Sequence, residues 1–82
     1  MQTNEPPSKK HSFRVRSARD LGAAVKYFRT LSGLSQATLA ERAGIHRSYL
    51  AALENGHATE ALERLMTLFG ELEVQVSITK EG

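Results

Sequence analysis

Apolar residues recur at helical spacing in four successive stretches of this chain, and a glycine follows each stretch. Leu21, Val25 and Phe28 define the first stripe, with Ala24 and Leu31 widening it. Ser17-Ala18-Arg19-Asp20 reads as a capping box that opens this helix, and Gly33 supplies its C-terminal cap. Ser35 caps a second helix over residues 36–43, with Leu39, Ala40 and Ala43 on its inner face and Gly44 as the break. A third helix covers residues 46–55 and stops at Gly56. Thr59 caps a fourth, whose Leu62, Leu65, Met66 and Phe69 fall at i, i+3, i+4 and i+7, with Gly70 as its predicted end.

The flanks follow another rhythm. Residues 13–16 (FRVR) alternate apolar and basic, which suits a short strand. Residues 72–78 (LEVQVSI) alternate over a longer stretch, and their valines and isoleucine favour a strand. Residues 1–12 lack periodicity and carry Pro6-Pro7 and Lys9-Lys10, the composition of a disordered basic arm. The predicted organisation is an arm over 1–12, a helical domain over 13–70 and a strand with a tail over 71–82. The fold class is mainly α: a four-helix bundle with a C-terminal β-strand and a short N-terminal strand.

Composition narrows the functions open to such a domain. Eighty-two residues make one small domain, for which association is a usual source of added stability. The absence of cysteine excludes disulfides and thiolate zinc sites. His11, His46 and His57 lack ligand spacing, so no metal is expected. No apolar run reaches a membrane span, and the N-terminus lacks a signal-peptide core, so the expected compartment is the cytoplasm. No glycine-rich phosphate loop or nucleophile–base pair is present, so neither an enzyme nor a cofactor is expected. Charge is unevenly placed. Residues 1–33 hold seven Lys/Arg against two acids, and residues 34–82 hold four against seven. The excess of basic side chains in the first part suits either a polyanion-facing surface or a solvated tail.

Residues 36–55, QATLAERAGIHRSYLAALEN, carry the most specific pattern. Two helices crossing steeply through a short turn need a small residue at their contact, here Ala40. They also need a residue free to take positive φ in the turn, here Gly44. Apolar anchors belong where the helices meet the core, here Leu39, Ile45, Leu50 and Leu53. Each feature is common, but their combination at this spacing predicts a helix-turn-helix.

Over residues 18–70, through FRTLSGLSQATLAERAGIHRSYLAALENG, the chain resembles the phage-repressor and Xre class of helix-turn-helix domains. The resemblance implies a lambda-repressor-like bundle. The lead-in SFRVRSARDLG and the tail ALERLMTLFGELEVQVSI are most similar to HipB-like antitoxins. In that subgroup the C-terminal strand pairs across a homodimer, and the implied partner is a HipA-like serine/threonine kinase toxin. Lys80-Glu81-Gly82 offers no long hydrophobic docking tail, so toxin contact is expected on the folded body. A stand-alone Xre-type regulator without a toxin is the alternative.

In this fold the start of the third helix enters the major groove. That points His46, Arg47, Ser48 and Ala51 toward base edges of a palindromic double-stranded operator. Arg47 is the candidate for bidentate guanine readout, or else for a phosphate. Tyr49 leans on the backbone or a thymine methyl, or packs on the first helix. Ser35 and Gln36 start the second helix, whose free N–H groups suit a phosphate. The resemblance places a glutamine like Gln36 on the DNA backbone near the first bases; capping alone is the other reading. Asn55, His57 and Lys26 are further phosphate candidates. The resemblance also implies an ion pair between Arg29 and Glu54 joining the first and third helices, against two separately solvated charges. A lone strand cannot satisfy its backbone, and residues 13–16 offer only a marginal two-stranded pair. The expectation is therefore a homodimer in which Leu72, Val74, Val76 and Ile78 face both helical bodies from a shared sheet.

Overall fold

The computed structural model describes residues 11–81, in the order β1 (His11–Val15), α1 (Ala18–Leu31), α2 (Gln36–Ala43), α3 (Arg47–Glu54), α4 (Glu60–Glu71) and β2 (Val76–Lys80). Four helices dominate, with a two-stranded antiparallel sheet joining the ends of the described chain. The arm expected over residues 1–12 lies outside the described residues, except for His11 and Ser12, which open β1.

Local chemistry sets the helix boundaries. Ser17, Ser35 and Thr59 each accept a hydrogen bond from the backbone N–H three residues on, satisfying one amide that a helix start leaves unpaired. Asp20 completes its box one residue early, accepting from the Arg16 amide at 2.8 Å. Gly33, Gly44 and Gly56 take φ values of 74°, 72° and 92° and end the first three helices. In each case the next two amides fold back onto the last turn, as in a Schellman motif. The fourth helix departs from expectation. Gly70 does not close it; α4 runs on to Glu71, and Glu73 takes the left-handed position at φ 57°. Glu73 N–H donates to the Gly70 carbonyl and Val74 N–H to that of Phe69. The same motif is built there on a residue whose Cβ disfavours it.

This helix end also corrects the second strand. Strand structure begins at Val76, not at residue 72, because Leu72 caps α4 and Glu73 breaks the extended run. β2 then finds a neighbour within the chain. Phe13 lies opposite Ile78 and Val15 opposite Val76, so both strands turn their apolar residues to one face. The expectation that residues 13–16 could not serve as the partner is thus revised. The small sheet is stabilised by packing on helices rather than by its own two strands. Tyr27 of α1 sits 5.8 Å from the Phe13 ring and edge-on to Phe28 at 5.0 Å, an aromatic clasp for β1.

The core gathers Val15, Ala18, Ala24 and Met66, packed by Phe13, Leu21, Phe28, Leu62, Phe69, Val76 and Ile78. Several positions predicted to be internal are exposed. Ala43 and Ile45 lie at the turn, and Leu31 ends α1 beside its cap. Leu65 is 43 % exposed because Leu62, Met66 and Phe69 already fill the inward arc of α4. Gly22 carries an unpredicted role. A Cβ there runs into the Leu53 carbonyl, so the absent side chain lets α1 and α3 cross in backbone contact.

Candidate nucleic-acid interface

Two short helices and a glycine turn make the candidate surface. α2 and α3 have eight residues each. Ala40 is buried between the elements, and the Ala40 carbonyl accepts the Ile45 amide at 3.0 Å across the turn. On α3, Leu50 is fully buried and Glu54 buried. Helical geometry sets Arg47, Ser48, Ala51, Ala52 and Asn55 on the opposite arc. Every residue from 41 to 49 is exposed.

His46 caps α3 with extended backbone but makes no side-chain cap hydrogen bond. The first amides of α3 therefore open outward beside four exposed side chains: His46, Arg47, Ser48 and Tyr49. Tyr49 is 45 % exposed. Ala51 is half-buried, and with Ala52 it keeps the middle of the outward arc low. At the start of α2, Ser35 Oγ is occupied by its own helix, accepting from Thr38 N–H and lying 3.0 Å from Thr38 Oγ1. Its hydroxyl caps the helix, and the Gln36 and Ala37 amides are left for an outside acceptor.

Behind this surface lies a network centred on one carboxylate. Glu54, whose side chain is 2 % exposed, accepts from Arg29 Nε at 2.6 Å and from Arg29 Nη2 at 2.9 Å. Gln36 Nε2 donates to the same carboxylate at 3.0 Å, and Arg29 Nη1 donates to the Leu34 carbonyl at 2.8 Å. Bidentate pairing of this kind is directional as well as strong. It ties α1, the α1–α2 loop, the start of α2 and the last turn of α3 to a single point. Glu54 sits at the negative end of α3, where a carboxylate is disfavoured, and Arg29 offsets that. The Arg29 hydrogen bonds hold the Glu54 carboxyl below its ordinary value of 4.5; burial opposes this, and Gln36 and nearby Lys26 add to it. Arg29 is correspondingly held in its charged form, chiefly by hydrogen bonding to Glu54.

The predicted site residues thus fall into three groups. His46, Arg47, Ser48 and Tyr49 share one exposed helix start. Arg29 and Glu54 meet, and Gln36 joins them. Of the dimerisation residues, Val76 and Ile78 pack on the chain's own core, while Leu72 and Val74 are exposed outside the strand. Lys26 and Asn55 line a cleft of about 730 Å³ between α1 and the end of α3, together with Arg19, which sequence reasoning passed over. The third member of the carboxylate network was also missed: a glutamine opening a helix gives no local sign of a partner 18 residues on.

A helix-turn-helix family model matches residues 25–77, which contain both helices of the reading unit and the carboxylate network. No curated protein and no solved structure matches the chain.

Proposed function

We infer from a chain that belongs to the helix-turn-helix family of the Xre and phage-repressor class, and is thereby a DNA-binding transcriptional regulator, that it acts as a sequence-specific repressor. In this reading a homodimer sets two copies of α3 into successive major grooves of a palindromic operator. The observation that carries it is the exposed start of α3, with Arg47 and Ser48 outward and the helix tied at its other end through Glu54. Arg47 donates to a guanine edge, and Ser48, His46 and Tyr49 contact neighbouring bases or phosphates. Ala51 lets the helix approach the groove. The free amides of Gln36 and Ala37 take a phosphate, beside Ser35, while the Gln36 side chain braces Glu54.

The finer reading is a HipB-like antitoxin that represses its own operon and binds a HipA-like serine/threonine kinase. The strands flanking the helical unit support it, and co-purification with such a kinase tests it. DNA reading is tested separately by selecting bound sites from random duplexes. The expected product is a palindrome whose half-sites are about one helical turn, ~34 Å, apart. Recovery of unrelated sequences would contradict sequence-specific binding.

A further inference from the structure

We propose that the apolar cleft between α1, α2 and β2 is a socket for Val74 of a second copy of this chain. The inference rests on the homodimer reading and adds the place where the two copies interlock. The cleft has a volume of about 330 Å³ and is walled by Val25, Phe28, Leu34, Leu39 and Ile78, with Lys80 at its rim. Lys80 Nζ is held at that rim by Ser32 Oγ at 2.8 Å. The cleft therefore presents hydrocarbon, and its natural occupant is an aliphatic side chain.

Strand geometry brings one to it. Among the described residues β2 is hydrogen-bonded on one edge only, to β1. Its sequence, VSITK, is rich in strand formers, and it carries none of the inward charges or prolines that blunt an edge. Antiparallel pairing of β2 with its own copy about Ser77 sets the partner's Val76 opposite Ile78 and the partner's Val74 opposite Lys80. Residues directly opposite share a face of the sheet. Here that face is the one carrying Val76 and Ile78 onto the core, beside the cleft. Val74 suits the role because its own chain leaves it half exposed, at 50 %, while a backbone bond to Phe69 fixes its position. Twofold symmetry repeats the contact, so one knob and one socket per copy close the interface. Residues 1–10, MQTNEPPSKK, have a single large aliphatic side chain, Met1, and suit the cleft less well.

Sedimentation of the full chain, in parallel with disulfide trapping, tests the proposal. The chain has no cysteine, so introduced thiols are unique. Wild type is expected to be dimeric. Val74→Asp should weaken the dimer about 100-fold with an unchanged circular dichroism spectrum, since Val74 is outside the core. Oxidised Leu39→Cys/Val74→Cys should form covalent dimers, and neither single variant should. A wild type that stays monomeric across a concentration series overturns the homodimer reading and the socket with it. A dimer indifferent to Val74→Asp but broken by Leu68→Asp, or one restored to weakness only by deleting residues 1–10, overturns the socket alone.

Discussion

Glu54 is the residue on which the DNA-facing surface depends most. It accepts hydrogen bonds from two side chains on two other helices, so removing it leaves Arg29 and Gln36 without their acceptor. Glu54→Ala is expected to cost about 3 kcal/mol, read as a lower melting temperature, and to weaken DNA binding as well. Acid should act on the same point. The folded-state value of Glu54 is depressed below 4.5, so the unfolded chain binds the extra proton first. The stabilisation is complete above the ordinary carboxylate range and is lost as pH falls through the depressed value. The melting-temperature gap between wild type and Glu54→Gln should therefore narrow as pH drops below 4.5. A gap that is constant with pH would remove the electrostatic role. Glu73 makes the opposite kind of prediction. A non-glycine residue at φ 57° is strained, so Glu73→Gly should stabilise the fold by about 1 kcal/mol, measured by thermal unfolding.

At the scale of elements, the crossing of α1 and α3 decides where the reading helix points. Gly22 permits it, because a side chain there meets the Leu53 backbone and not a movable side chain. Gly22→Ala should cost about 2–3 kcal/mol, although alanine is the better helix former in isolation; a neutral result in thermal unfolding would mean that α3 shifts freely. This contrast marks what the sequence made legible. Serine and threonine caps, helical stripes and glycine stops are local signals, and they located all four helices. Gly70 misled because a glycine at the end of a stripe resembles a cap even when the left-handed turn falls three residues later, at Glu73. Leu65 misled because a helix with two adjoining apolar arcs does not announce which one faces the core. Gly22 gave only a weak sign, a glycine inside a helical stripe, and its meaning needs the facing helix.

At the scale of the molecule, strand pairing was the least legible feature. Alternation identified two strands, but nothing local specified that Val76–Lys80 would pair with His11–Val15. That pairing closes the ends of the described chain over the core and uses Val76 and Ile78 internally, leaving Leu72 and Val74 for other contacts. The site was legible in part: the exposed start of α3 followed from the turn and the anchors, whereas the bracing of Gln36 needed three dimensions. For the whole protein, operator affinity should fall steeply with salt, as basic side chains replace counterions on the phosphates. Fluorescence anisotropy across a salt series reads that slope, and a flat series would contradict an electrostatic interface.

The central claim is that the start of α3 reads bases while the Glu54 network holds it in place. Repeating the selection from random DNA with Arg47→Ala tests this most directly. The account predicts the same palindrome and the same half-site spacing, with base preference lost at one symmetric position in each half-site and affinity there reduced by about 1–3 kcal/mol. An unchanged site, with full preference at every position, would contradict it.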